Sequence, residues 1–182
     1  LGGYALQANT TASNNVAVGY QAAYANTTGA GHTVVGTGAL YTCTTGTDNT
    51  AIGANAMRSA TTASYNTAVG ISALFSATTG TGVNTAIGRE ALYATTTGTG
   101  NTAVGQSAML GNTTGTNNVA MGVDSLRSNT TASNNTAVGY TAAYSNTTGA
   151  NNVALGYQAL YSNTTGVNNT ALGFEALRVN TA

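Results

Sequence analysis

The glycine of an Ala-x-Gly pattern returns at Gly2, Gly19, Gly36, Gly53, Gly70, Gly88, Gly105, Gly122, Gly139, Gly156 and Gly173. Every interval is 17 residues except the 18 between Gly70 and Gly88, where Gly82 and Val83 fill a slot that elsewhere holds one residue. A fixed period sustained from end to end means one stacked unit and not several packed domains. Residues 1–182 are therefore read as a single repeat domain.

Each column of the repeat states a physical demand. Asn stands four residues before the glycine, broken only by His32, and Ala stands two before it, with Val34 the exception. The residue just before the glycine is large and apolar, as in Val18, Ile52, Val104, Met121 and Leu172. Ala and then usually Leu or Met follow three and four residues after it, and Thr stands eight after it in all eleven copies, from Thr10 to Thr181. A Thr-Thr-Gly-x-Asn stretch in every copy breaks any 3.6-residue apolar period, so helices are excluded. The two apolar segments left in each copy, such as Thr-Ala-Val-Gly and Ala-Leu-Tyr, are of strand length. With turn chemistry in each copy and no crossover helix, an all-β parallel β-solenoid follows, one coil per 17 residues and about eleven coils. Stacked Asn and Thr columns can pass hydrogen bonds from coil to coil.

Adjacent apolar residues in a strand point to opposite faces. Both faces of these strands then carry apolar side chains, and the one not filling the coil needs cover. The large residue before the glycine and the Leu after it are expected inside. Burial of one Val and one Leu per coil, at about 1.5–3 kcal/mol each, is thin against a backbone entropy of about 1–2 kcal/mol for each residue ordered. Side-by-side association of rods, as a homotrimer or a filament, is the expected remedy. The sequence starts and stops within a coil, at Leu1-Gly2 and Thr181-Ala182, which suggests a segment of a longer fibre. Residues 11–30 and 131–150 match at 17 of 20 positions, as blocks of coils duplicated for length would.

Composition removes several function classes. Only 4% of residues are charged and four Arg balance four acids, so no field recruits nucleic acid or an anionic surface. No apolar run reaches the roughly 18 residues of a membrane span. Catalysis needs a nucleophile, an acid-base group and an oxyanion stabiliser together. The only His is His32 in the Asn column and the only Cys is Cys43, seven after a glycine where Asn is common. Both read as column substitutions, so the chain is expected to be no enzyme and to hold no cofactor or metal, with the ligand-binding residues unknown. Acids gather two after the glycine (Glu90, Asp124, Glu175) and Arg five after it (Arg58, Arg127, Arg178), where other copies hold Tyr or Phe. Ion pairs Asp124–Arg127 and Glu175–Arg178, Arg–Tyr cation–π contacts, and Tyr faces able to stack a surface glycan follow as expectations. Eight Asn-x-Thr sequons, at Asn9, Asn26, Asn112, Asn129, Asn134, Asn146, Asn163 and Asn168, read chiefly as a by-product of Asn/Thr turns.

The stretches NNVAVGYQA (14–22) and NTAIGREA (84–91) resemble the head repeats of YadA-type trimeric autotransporter adhesins. The stretch NNVALGYQALYSNTTG (151–166) is also similar to repeats of phage tail-fibre and related surface proteins that end in an endosialidase-type chaperone domain. The resemblance covers the whole chain. It implies a left-handed parallel β-roll, three chains side by side and a role in surface attachment, hence an extracellular, cell-surface or virion fibre location. Two further readings stay open, a self-assembling filament or sheath subunit and an ice-binding solenoid with a Thr face.

Overall fold

The computed structural model describes residues 2–79 and 82–180; Leu1, Thr181 and Ala182 of the repeat frame lie outside them. Ten three-residue strands, β1 to β10, span Val16–Val18, Thr33–Val35, Thr50–Ile52, Thr67–Val69, Thr85–Ile87, Thr102–Val104, Val119–Met121, Thr136–Val138, Val153–Leu155 and Thr170–Leu172. They form one sheet in sequence order, and each strand pairs parallel with the next in unbroken register, such as Thr50↔Thr67 and Ala51↔Ala68. The chain is an all-β parallel solenoid of about 17 residues per turn, as the period requires. With strands about 4.8 Å apart the ten-stranded stack is roughly 43 Å long. Eleven glycine-centred copies give ten strands because the copy around Gly2 enters at its glycine.

The glycine row turns each corner with φ near +135°, as at Gly19, Gly36 and Gly156, a conformation that side-chain-bearing residues rarely adopt. Space imposes a second demand. A Cβ on Gly53 would lie 2.5 Å from the carbonyl oxygen of Gly70 one turn on, so the row sets how closely the turns stack.

Two expectations are corrected. Every strand has its middle residue inside and its flanking residues outward. The inside residue is Ala, or Val34 in β2, and the row Val18, Val35, Ile52, Val69, Ile87, Val104, Met121, Val138, Leu155, Leu172 faces out, with Met121 44% exposed. Parity explains this. Asn at four before the glycine and Ala at two before it share a face, and once the Asn amides occupy the interior, the large apolar residue must leave it. The second apolar segment, in turn, is no strand. The residues two and four after each glycine have positive φ, for example Asn55 (57°) and Met57 (51°) or Asp124 (54°) and Leu126 (50°). Hydrogen bonds from Ala56 N to Gly53 O (3.2 Å) and from Arg58 N to Asn55 O (3.2 Å) close two successive β-turns, each with its third residue in the type II conformation. These turns break strand alternation, so Ala56 and Met57, or Ala91 and Leu92, both point into the coil and are fully buried. A left-handed non-glycine residue costs about 1–2 kcal/mol. Turn-to-turn bonds such as Met57 N to Ala73 O (3.0 Å) hold it there.

The 18-residue turn absorbs its extra residue at one corner, as the column count anticipates. Gly82 donates its N–H to Ser64 O (3.1 Å), as Tyr65 does to Thr47 O (3.1 Å) one turn earlier, while Gly82 O accepts from Gly100 N (3.0 Å). Val83 is pushed outward, 64% exposed with φ 42°.

Candidate functional site

The interior is organised by two rows of amides. In the row before the strand each Asn Oδ1 accepts the backbone N–H of the equivalent Asn one turn on: Asn66 N to Asn49 Oδ1 (3.0 Å), Asn118 N to Asn101 Oδ1 (3.0 Å), Asn152 N to Asn135 Oδ1 (2.8 Å). Its Nδ2 crosses the coil to a carbonyl 14 residues ahead, as Asn101 does to Gly115 O (2.9 Å). The second row, seven after the glycine, reaches the same carbonyl from the other side: Asn112 Nδ2 to Gly115 O (3.3 Å). Two amides therefore grip one carbonyl in the same turn. The Thr rows work differently from hydroxyl-to-hydroxyl ladders. The first Thr donates to the carbonyl of the equivalent Thr one turn on, as Thr27 Oγ1 does to Thr44 O (2.9 Å) and Thr113 Oγ1 to Thr130 O (3.0 Å), whereas the second, such as Thr28 or Thr114, is exposed.

His32 and Cys43 are the two amide-row members of one turn and are buried together, with Cys43 Sγ 3.9 Å from His32 Nε2. His32 Nδ1 accepts the N–H of Asn49 (3.2 Å), the task an Asn Oδ1 performs elsewhere. A nitrogen that accepts a backbone N–H carries no proton of its own, so the neutral ring keeps its hydrogen on Nε2, the nitrogen beside the Cys43 thiol. Burial lowers the His32 pKa below its ordinary 6.5, against the opposing pull of the Gly46 backbone and of Asp48. Burial also pushes the Cys43 thiol up to about 11. A protonated thiol beside a ring with no free basic nitrogen is neither an activated nucleophile nor a metal-ligand pair. Among the described residues, no group of three or more His, Cys, Asp or Glu gathers at metal-binding distance, and no helix is long and apolar enough to cross a membrane.

The surface bears out the charge arrangement. Arg127 Nε lies 3.1 Å from Asp124 Oδ1 and Arg178 Nε 3.9 Å from Glu175 Oε1; Arg89 with Glu90 (3.0 Å) adds a neighbour pair that column reasoning missed. All are partly exposed, so each is worth about 0–1 kcal/mol. Arg58, Arg127 and Arg178 lie over the rings of Tyr41, Tyr144 and Tyr161 at 4.8, 5.8 and 5.7 Å. The aromatic residues stack face to face, Tyr24 on Tyr41 at 5.1 Å and 7°, Tyr144 on Tyr161 at 5.2 Å and 8°. A sugar that packs on an aromatic face thus meets ring edges along these stacks. An outer stack of Tyr140, Tyr157 and Phe174 repeats the same face-to-face geometry, at 5.6 and 5.1 Å.

What remains is the sheet's outward face. On one side of it runs the large apolar row from Val18 to Leu172, and beside it the strand-initial row Val16, Thr33, Thr50, Thr67, Thr85, Thr102, Val119, Thr136, Val153, Thr170. Neither row contains a charge, and both repeat at the strand spacing. Comparison with family models, with curated proteins and with solved structures gives no match.

Proposed function

We propose that this chain is a non-enzymatic structural segment of an extracellular, cell-surface or virion fibre, a rod that extends and stiffens the fibre and associates with further copies, as a homotrimer in the simplest case. The observation that carries the reading is the outward apolar row of ten large side chains along the sheet. Contiguous exposed apolar surface of this extent marks an association surface more often than bare solvent contact. Stiffness is supported by the amide rows, which tie each turn to the next through side chain and backbone together. The near absence of charge suits a rod met by varying salt, because few of its contacts are screened. A self-assembling sheath subunit uses the same face and differs only in how many copies join.

The test is the solution mass by light scattering over a range of concentrations, for the native chain and for Val104→Asp. Since Val104 faces outward, the variant keeps the thermal unfolding of an isolated roll to within about 0.5 kcal/mol and loses self-association. A native chain that is monomeric at all concentrations overturns lateral assembly. In that case Thr and Val side by side on one flat, uncharged sheet face favour the ice-binding reading, and thermal hysteresis becomes the deciding assay.

A further inference from the structure

Asn-x-Thr is the acceptor for N-linked glycans, and the roll sorts its eight sequons by where the acceptor nitrogen, Nδ2, lies. Asn26, Asn112, Asn129, Asn146 and Asn163 are fully buried in the second amide row. Their Nδ2 atoms donate to the carbonyl three residues on, for example Asn26 to Gly29 O (2.9 Å) and Asn146 to Gly149 O (2.9 Å). In Asn129 and Asn163 the other amide hydrogen is also used, on Asn112 Oδ1 (2.8 Å) and Asn146 Oδ1 (2.9 Å). Asn134 and Asn168 lie outside that row and are exposed, whereas Asn9, seven after Gly2, is the row's first member and makes the same bond, to Ala12 O (3.2 Å). Asn134 and Asn168 sit at a strand-entry corner with φ 62° and 59°.

Glycan transfer joins Nδ2 to the anomeric carbon of the sugar, breaks that carbon's bond to a lipid diphosphate and releases one amide proton. A buried-row asparagine so modified gains a sugar where the neighbouring turn stacks, and Asn129 and Asn163 also lose a hydrogen already in use, so glycan and closed coil exclude one another. In the eukaryotic secretory pathway transfer acts on the emerging chain, before burial protects anything. We propose that this protein folds in a compartment where no N-glycan is transferred to nascent chains, and that the only sequon column of the folded roll able to act as an acceptor is that of Asn134 and Asn168. The argument is independent of lateral assembly. It narrows the fibre reading to rods built outside the glycosylating secretory route.

The test sends the full chain, behind a cleavable secretion signal, through a eukaryotic secretory pathway with and without a blocker of N-glycan transfer, and maps glycans by mass spectrometry. A second chain carries Thr28→Val, Thr114→Val, Thr131→Val, Thr148→Val and Thr165→Val, which delete the five buried sequons at exposed threonines and spare every row asparagine. The expected result is loss of folded secreted native protein, with glycans on the buried-row asparagines. Either the blocker or the five substitutions restores secretion, and glycans on the secreted variant are confined to the exposed sequons. Equal thermal unfolding of both chains made in bacterial cytoplasm establishes that the substitutions leave the fold intact; should they not, the blocker arm alone decides. Folded native protein secreted from untreated cells, with or without sugar on the buried row, overturns the proposal. So does a failure of the blocker to restore folding.

Discussion

The turns holding Asn112, Asn129, Asn146 and Asn163 share a backbone with those holding Cys43, Ala60, Ala77 and Thr95, yet the second interior row is amide in the first set and mostly apolar in the other. Where both rows are amide they converge: Asn118 and Asn129 on Ala132 O at 2.8 and 3.1 Å, Asn135 and Asn146 on Gly149 O at 3.0 and 2.9 Å. Where the second row is Ala60, Asn49 reaches Ala63 O alone (2.7 Å). Strand register is the same in both. The strand-side row is thus the one the stack relies on, because its Oδ1 satisfies a buried backbone N–H, whereas the second row's Oδ1 mainly serves another side chain. Removing donor and acceptor together is nearly neutral, while removing one of them is costly. The cost of an Ala run should therefore concentrate at its boundaries. At one, Thr95 Oγ1 receives Asn112 Nδ2 (3.3 Å). At the other, Cys43 stands where an amide would come next and Asn26 Oδ1 is buried with no partner.

The comparison breaks most visibly if the strand-side row proves dispensable. Asn118→Ala removes the acceptor of the Asn135 N–H (2.9 Å) and one of the two amides on Ala132 O, leaving a buried backbone donor unsatisfied and a small void. We expect a loss of about 2–3 kcal/mol in denaturant unfolding, and a loss below about 1 kcal/mol would show that the register needs no amide. Asn129→Ala strands only side-chain atoms, chiefly Asn112 Oδ1, and should cost about 1–2 kcal/mol. Adding Asn112→Ala removes the stranded acceptor as well, so the double variant should lose less than the sum of the singles. Strict additivity would sink the view that the second row is a chain of mutual partners.

These distinctions were partly legible in the sequence. The period, the glycine row and the membership of His32 and Cys43 in amide rows follow from column spacing alone, because a stacked repeat places like residues over like. The outward position of Val104 was legible in principle, since Asn101 just before its strand and Ala103 within it stand at opposite parity to it, but the size of the Val side chain argued for the interior and gave the wrong face. The turns at Leu74, Leu92 and Leu126 were not legible. Leu has no preference for positive φ, and what holds it there, the hydrogen bonds of the neighbouring turns, exists only once the coils stack. The ring stacks were foreseeable as a column, but their face-to-face geometry, which decides what a sugar could touch, is set by the turn spacing.

The smallest expected effect sharpens the comparison with pH, because the Cys43 turn holds two buried titratable groups where the Asn118–Asn129 turn holds none. Burial depresses the His32 pKa below 6.5, so the unfolded chain binds a proton that the roll refuses. Stability is then intact above pH 6.5 and falls as pH drops below it, until the folded ring itself protonates. Asp48 and the Gly46 backbone oppose this shift, so the slope should be shallow. Cys43 has the opposite sign. Its pKa rises from 9.0 to about 11, so the unfolded thiol ionises first and stability is lost as pH climbs through that interval. His32→Asn restores the row's usual residue and should flatten the acid limb while leaving stability at pH 7 within about 0.5 kcal/mol. Cys43→Ala copies what the row already accepts at Ala60 and Ala77 and should flatten the alkaline limb alone. Thermal unfolding from pH 5 to 10 reads both limbs. If His32→Asn leaves the acid slope unchanged, the slope belongs to the surface carboxylates, and His32 is no more than an imidazole filling an amide's place.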